Sequence, residues 1–339
     1  MTTYTVAVVG ATGNVGREML AILAEREFPV GKVHAIASRS SLGKEVSFGM
    51  EAILKVETLD DFDFSNVDIA LFSPGSQVSK VFAPKAAAAG AFVIDNTSYF
   101  RMQPDVPLLV PEVNPETMEL ADKRRIIANP NCVALPLVMV LKPIHDLAHI
   151  KRVVVTSFQS VSGAGKKAMD ELYSQTKSRF LYQEPEPTAF AKPIAFNVLP
   201  MIGEMNKDGS TQEEEKVAQE TQKMLDPEIQ VAVSCVRVPI FVGHSMAVTI
   251  ECTKPCEVEE VIAALVAFPG VRVQQEQDPS RQLTPIDIVG EDDVFVSRIR
   301  KDPTVPYGLQ LWIVSDNLRK GAALNAVQIA EQLVAEGYV

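Results

Sequence analysis

Along the first third of the chain, short apolar runs alternate with longer stretches of helical period. Residues 6–9, 33–37, 67–72, 91–94 and 126–128 are too short for helices. They are β-branched or aliphatic and bounded by Gly, Pro, Ser or Asn, a pattern that predicts buried strands. An amphipathic stretch runs from the turn after Val9 to about Glu27. An alanine-rich one covers residues 81–89 and stops at Gly90, a fitting C-cap. Strand and helix in alternation, with short connections, predict a parallel sheet covered on both faces. Residues 108–112 are expected to complete that layer with 126–128.

Further on the pattern changes. Residues 133–144 are apolar and long enough for a helix, with Pro136 tolerated in its first turn. Residues 151–161 form one long strand pattern whose polar end runs into Gly163-Ala164-Gly165. Helices are predicted over 169–182, 211–225 and 258–268, and strands over 229–240, 246–252, 271–277, 293–299 and 309–315. A last alanine-rich helix ends near Leu333. Residues 183–200 are Pro-rich and irregular, as expected of a loop over a subunit surface.

The chain has 339 residues, too many for one ordinary core, so two domains are expected. Its net charge of −11, without a Lys/Arg run, argues against nucleic acid or an anionic membrane as partner. An anionic substrate must then be held by a few local Arg or Lys residues. There is no signal-peptide pattern and no apolar run of membrane-spanning length. The four cysteines, at 132, 235, 252 and 256, form no dense disulfide pattern. Free thiols in a reducing cytoplasm are the expectation. No metal site is expected: Cys252 and Cys256 lack a second pair, and the i, i+4 pair His145 and His149 lacks the glutamate of a zinc-protease motif.

The first predicted strand runs into Gly10-Ala11-Thr12-Gly13-Asn14-Val15-Gly16 and then a helix. Glycines there let backbone N–H groups and the helix N-terminus approach a pyrophosphate, as at the start of a dinucleotide fold. The second strand ends in Ser38-Arg39-Ser40 rather than the Asp or Glu that binds NAD ribose hydroxyls. Ser and Arg suit a 2′-phosphate, so NADP is expected. Ser73-Pro74-Gly75, after the next strand, is small enough for the nicotinamide half to lie close to the backbone. The fold class expected is α/β, a Rossmann-like NADP-binding domain plus an α+β domain with a mixed sheet.

Asn129-Pro130-Asn131-Cys132 makes a tight turn at the mouth of the helix over 133–144. The unpaired N–H groups and positive dipole end there favour a thiolate, so Cys132 is a nucleophile candidate; the plain alternative is a small buried hydrophobe. Arg101 follows the strand at 91–94 and could hold a phosphate or carboxylate, unless it is only a surface Arg. His244, beside Gly243 in the passage between two strands, suits a positioned base or a structural turn.

In order and spacing these residues resemble the aspartate-β-semialdehyde dehydrogenases of the bacterial type, over essentially the whole chain. The resemblance is carried by the N-terminal G-x-x-G-x-x-G, Asn131-Cys132, Gln159 with Ser162-Gly163-Ala164-Gly165, and Glu213 with Lys216. It continues through Arg237-Val238-Pro239, Gly243-His244-Ser245, Asp316-Asn317 and Lys320-Gly321-Ala322-Ala323. It implies a homodimer. Residues 1–130 and 317–339 would form the NADP-binding domain, the C-terminal helix returning to it. Residues 131–316 would form the catalytic and dimerisation domain.

The implied reaction is reductive dephosphorylation of L-4-aspartyl phosphate by NADPH to L-aspartate 4-semialdehyde and phosphate, in lysine, threonine and methionine synthesis. Cys132 would form a thioester, with N–H groups near it and the Asn131 side chain facing the oxyanion. The resemblance makes His244 the general acid/base, with an ordinary near-neutral pKa, and lets Gln159 orient the reactants. Arg237 would hold the α-carboxylate, Glu213 the α-ammonium, and Arg101 with Lys216 the phosphate. Ser162, Gly163 and Asn317 would join the cofactor site. The rival is an N-acetyl-γ-glutamyl-phosphate reductase, whose acylated substrate has no use for Glu213. A glyceraldehyde-phosphate-type enzyme would want an acidic residue after the second strand. A non-enzymatic NADP-binding protein would need neither Cys132, Gln159 nor His244.

Overall fold

A computed structural model describes residues 2–50 and 52–339. Two compact units divide the chain, one comprising Met1–Asn131 with Ala322–Val339 and the other Cys132–Gly321. In chain order the first holds β1 (Tyr4–Val9), α1 (Asn14–Glu25), β2 (Val30–Ala37), β3 (Glu45–Phe48), β4 (Ala52–Lys55), β5 (Glu57–Thr58), β6 (Ile69–Phe72), α2 (Ser76–Ala88), β7 (Phe92–Asp95) and β8 (Ile126–Ala128). Its main sheet has the order β5-β2-β1-β6-β7-β8, every pair parallel. The apolar runs of β6, β7 and β8 are buried throughout, as both faces of a parallel sheet demand.

Register decides where the loops go. Val9 pairs with Ile36 and Phe72, Phe72 with Asp95, and Asp95 with Ala128. The turns after β1, β2, β6, β7 and β8 therefore open along one edge, the carboxyl edge where ligands bind in such sheets.

One expectation fails here, and one element is new. Residues 108–112 are not a strand: Leu108 makes only an isolated bridge to Ala128. Pro107 and Pro111 break the ladder, and the Asn114 side chain takes over, accepting from Val110 N–H and donating to the Leu108 carbonyl. The β3–β4 hairpin was not anticipated; it is short, half-exposed and outside the main sheet.

The second unit holds α3 (Ala134–Ala148), β9 (Ile150–Gln159), α4 (Lys166–Phe180), α5 (Gln212–Met224), β10 (Gln230–Arg237), β11 (His244–Cys252), α6 (Val258–Ala267), β12 (Val271–Gln274), β13 (Val294–Asp302) and β14 (Gly308–Ser315). Its sheet, β10-β9-β11-β14-β13-β12, is mixed: β9/β10 and β12/β13 are parallel, the rest antiparallel. Apolar on all sides, α3 is buried along almost its whole length, beside α5 and α6. After a π-helical turn at Arg319–Ala323, α7 (Leu324–Ala335) closes the chain. In the first unit α7 buries Leu324, Val327, Ile329, Ala330 and Leu333 in one core with Met19, Leu20 and Leu23 of α1.

Candidate active site

In the first unit the turn after β1 is a cradle of bare backbone. Gly10 has φ +92°, and a Cβ there would lie 2.6 Å from the Ser73 carbonyl oxygen. A Cβ on Gly16 would lie 2.2 Å from the Gly10 carbonyl oxygen. Gly13 caps α1 and its N–H donates to Gly10 O, while Asn14 and Val15 open the helix without an acidic side chain in the first turn. The positive helix end therefore faces a cavity of about 340 Å³ lined by Gly10, Thr12, Gly13, Ser38, Ser73 and Asp60. That fits the phosphates of a dinucleotide.

The Ser38 and Ser40 hydroxyls lie 3.0 Å apart. Arg39 is exposed and reaches Asp61 at 3.3 Å and Asp60 at 3.9 Å, screened pairs that an arriving phosphate can displace. Gly75, at φ +97°, caps α2, which begins at Ser76, five residues earlier than the pattern placed it.

Asp95 ends β7 and orders the next loop, accepting from Ser79 Oγ, Thr97 N–H and Thr97 Oγ1. Burial pushes its pKa up, against those bonds and Arg101. Arg101 is buried, not a surface side chain. Its Nε donates to Asn129 O at 2.9 Å and its Nη2 to Asn96 O at 2.8 Å. Asn129 Nδ2 donates to Asn96 Oδ1 and Ala322 O, and Asn325 Nδ2 to Asn129 Oδ1. These bonds fix the turn that leads through buried Asn131 to Cys132.

In the second unit Cys132 sits one residue before Val133, the N-cap of α3, and is half-buried. Its Sγ lies 3.3 Å from His244 Nε2. His244 is not in a turn, as its neighbour Gly243 suggested. Gly243, at φ +93°, makes the bend and His244 is the first residue of β11, opposite Ser315. Arg237 and Gln159 are register partners at the ends of β10 and β9. Sheet register thus brings Gln159, Arg237 and His244 to one edge.

The His244 ring is wholly buried. Burial and the Arg237 charge push its pKa down to about 3, the Gly243 main chain opposing them less strongly. The near-neutral value expected from the sequence is therefore corrected: the imidazole is neutral at working pH. Burial also lowers the pKa of Arg237, although the Cys132 sulfur and Glu213 carboxylate hold its charge in place.

Gln159 Nε2 donates to Glu213 Oε1 at 3.2 Å, and Lys216 Nζ lies 3.9 Å from Glu213 Oε2, one turn along α5. Glu214 is engaged otherwise, in the capping box with Thr211 and as acceptor from Cys235 N–H. Glu215 pairs with Asn206 and Gln219.

Sequence reasoning missed Ser160, put Gly163 in the cofactor site without placing it against His244, and quoted Gly321 only as part of a motif. Ser160 donates its N–H to His244 Nδ1. A Cβ on Gly163 would come 3.4 Å from the His244 ring, and one on Gly321 would come 3.4 Å from Cys132 Cβ. Glycine in a family motif hinted at the last two, whereas Ser160 has no signal beyond its place after Gln159. Ser162 and Asn317 turn their side chains toward each other, Asn317 Nδ2 donating to Ser162 Oγ.

Among the described residues, one group could hold a metal, His145, His149 and Asp226. His145 Nδ1 already accepts from Ile150 N–H, so its neutral ring carries the proton on Nε2, facing Asp226 at 3.5 Å. That lone-pair placement suits a hydrogen bond better than a ligand bond. No described helix is long and apolar enough to cross a membrane.

Residues 5–121 match the family model for the semialdehyde dehydrogenase NAD-binding domain, and residues 141–320 that for the semialdehyde dehydrogenase dimerisation domain. An aspartate-semialdehyde dehydrogenase from Rickettsia bellii is 52% identical, with 98% of each chain covered. One from Aquifex aeolicus is 49% identical, with 99% of each covered. The chain belongs to the aspartate-semialdehyde dehydrogenase family.

Solved structures agree. Aspartate semialdehyde dehydrogenase II from Vibrio cholerae, complexed with ASA, superposes with a TM-score of 0.96 at 46% identity, covering 99% of each chain. The Candida albicans aspartate semialdehyde dehydrogenase with NADP shares the fold at a TM-score of 0.77 and 23% identity, covering 100% of each chain. As an aspartate-semialdehyde dehydrogenase family member the protein is an oxidoreductase with a dinucleotide-binding α/β domain and a mixed-sheet dimerisation domain.

Proposed function

We propose that the protein reduces L-4-aspartyl phosphate with NADPH, reversibly, giving L-aspartate 4-semialdehyde and phosphate for lysine, threonine and methionine synthesis. The observation that carries this reading is Cys132 Sγ 3.3 Å from His244 Nε2, in the unit that also brings Gln159, Glu213 and Arg237 together. The thiolate attacks the acyl carbon, the bond to the phosphate oxygen breaks, and phosphate leaves with the electron pair and takes up a proton. NADPH, when bound, supplies the hydride that reduces the resulting thioester. The carbon–sulfur bond then breaks, releasing the aldehyde and restoring the Cys132 thiolate. His244 holds a proton at Nε2 facing the sulfur and the oxyanion that forms beside it. Asn131 and N–H groups near Cys132 share that charge.

Arg237 holds the substrate α-carboxylate through its planar fork and Glu213 receives the α-ammonium. Arg101 and Lys216 take the phosphate, while Gln159 orients the substrate. Gly10, Thr12, Gly13, Asn14, Val15 and Gly16 hold the pyrophosphate. Ser38, Arg39 and Ser40 take the 2′-phosphate and favour NADP. Ser73 and Gly75 are assigned to the nicotinamide half, and Ser162, Gly163 and Asn317 to the cofactor as the resemblance implies. The first unit is then the cofactor domain, and the second the catalytic and dimerisation domain of a cytoplasmic homodimer. Four free cysteines support a reducing compartment.

The test supplies NADP and phosphate with L-aspartate 4-semialdehyde, and N-acetyl-glutamate semialdehyde in parallel, and follows reduced-nicotinamide absorbance. Phosphate-dependent turnover of the aspartyl substrate alone is expected. Turnover of the acetylated one would overturn the Glu213 assignment, and silence in both, with NADP bound, would overturn the enzyme reading.

A further inference from the structure

We propose that Ser160, held by Asn317, is the positioning residue that fixes His244 with its proton on Nε2, so that the resting ring meets Cys132 as a neutral hydrogen-bond donor. The inference rests on the reading that Cys132 and His244 form the reacting pair. The Ser160 main-chain N–H points at His244 Nδ1 at 3.1 Å. A peptide N–H cannot act as an acceptor, so Nδ1 must present its lone pair. A neutral imidazole has one proton, which is then on Nε2, the atom 3.3 Å from Cys132 Sγ. Ser160 and His244 are both wholly buried, so water offers Nδ1 no substitute.

The clamp around Ser160 is built from several sides. Its Oγ lies 3.1 Å from both His244 Nδ1 and Asn317 Oδ1, and its one proton can be given to either acceptor. Asn317 Oδ1 also accepts from Ser162 Oγ at 3.2 Å and from Gly243 N–H at 2.9 Å. One buried amide thus ties the residue before His244 to the two serines after Gln159. The Ser160 carbonyl accepts from Arg237 Nη1 at 2.7 Å, so the same peptide segment orients the cation beside the ring.

Adding a proton at Nδ1 would set two N–H groups against each other, and Arg237 further opposes a positive ring. Once Cys132 is a thiolate, the ring therefore donates to the sulfur and then to the oxyanion that forms beside it.

The experiment uses the full chain labelled with nitrogen-15 in its histidine rings, with and without NADP. The His244 signals are assigned by their loss in His244→Asn. Nitrogen shifts and ring couplings should report an unprotonated Nδ1 and a protonated Nε2. Ser160→Ala keeps the main-chain donor and should keep that tautomer. It should lower kcat by about threefold to tenfold, the worth of one hydrogen bond, with both KM values within about twofold. A protonated Nδ1 in the unmodified protein would overturn the proposal while leaving the dehydrogenase reading intact if turnover persists. An unchanged kcat in Ser160→Ala would overturn the part given to its hydroxyl and Asn317. A protonated Nε2 without any turnover would support the tautomer and defeat the dehydrogenase reading instead.

Discussion

Cys132 differs from the other three thiols by its surroundings. Cys235 and Cys252 are buried, and burial pushes both up to about 12; Cys256 is raised for the same reason. Cys132 is half-buried at the positive end of α3 and faces an imidazole. Iodoacetamide at neutral pH should label Cys132 ahead of the others and abolish turnover with NADP binding retained, and Cys132→Ala should do the same. Peptide mapping and cofactor titration check this; first labelling at Cys235, or turnover surviving in Cys132→Ala, would end the covalent reading. His244 supplies a second prediction. Its pKa is lowered on folding, so the unfolded chain binds the proton first as pH falls. The folded form keeps its full stability above about pH 6.5 and loses it as pH drops toward 3. The loss approaches about 1.4 kcal/mol per pH unit for the one proton. His145, also lowered by burial, adds in the same direction. Urea melts at stepped pH should show a shallower slope for His244→Gln, and parallel slopes would refute the assignment. Residue types and order made Cys132 and His244 legible as candidates. The depressed His244 pKa was not legible, because burial and the approach of Arg237 are produced only by folding.

At the scale of elements, the sequence spoke clearly wherever an apolar period was long or a run was buried on both faces. The five parallel strands from β1 to β8 that were anticipated, and the all-apolar α3, are of that kind. It was silent where tertiary context decided. The β3–β4 hairpin has a weak period, and residues 108–112 are apolar enough for a strand but follow Pro107 and contain Pro111. The site follows from strand ends: Gln159 and Arg237 are partners in register, and a slip of one residue would turn them to the opposite face. The junction of β1 and α1 makes a sharper prediction. A methyl at Gly16 would stand 2.2 Å from the Gly10 carbonyl oxygen, with backbone rather than a flexible side chain in its way. Gly16→Ala must therefore displace the turn and helix start to which the proposed function assigns the pyrophosphate. Overpacking should cost about 1–3 kcal/mol of stability in the first unit. NADP affinity should fall at least about tenfold, since the N–H groups lose their aim. Calorimetry with and without NADP checks it, and wild-type affinity in a folded Gly16→Ala protein would show that this turn does not bind the cofactor.

For the whole molecule, the question is what covers the second unit. Between Tyr173 and Met205 it presents Tyr173, Phe180, Leu181, Tyr182, Phe196, Val198, Met201 and Met205 as exposed side chains, with Tyr182 fully open. Phe180 and Phe196 meet edge to face 5.9 Å apart. Beneath them, Leu172, Ile194, Ala195 and Leu199 form a small core of their own, so the segment is held in place rather than loose. A monomer rarely leaves so many large apolar groups in water, and aromatic side chains are characteristic of interface cores. The irregular, Pro-rich residues 183–200 are thus better explained as a surface for a second copy than as a failed core element. The combined change Tyr182→Asp and Phe196→Asp tests this. Both residues are exposed, so a single chain should stay folded and lose no more than about 1.5 kcal/mol, the worth of the Phe180–Phe196 contact. If this face meets its twin, each copy would bury two new charges without partners, and the dimer dissociation constant should rise by at least about a hundredfold. Sedimentation velocity across a dilution series would then show the dimer of the unaltered protein giving way to monomer in the variant, with unchanged far-ultraviolet circular dichroism. An equally tight dimer in the variant would move the interface elsewhere on the second unit, and a monomeric unaltered protein would remove the homodimer altogether.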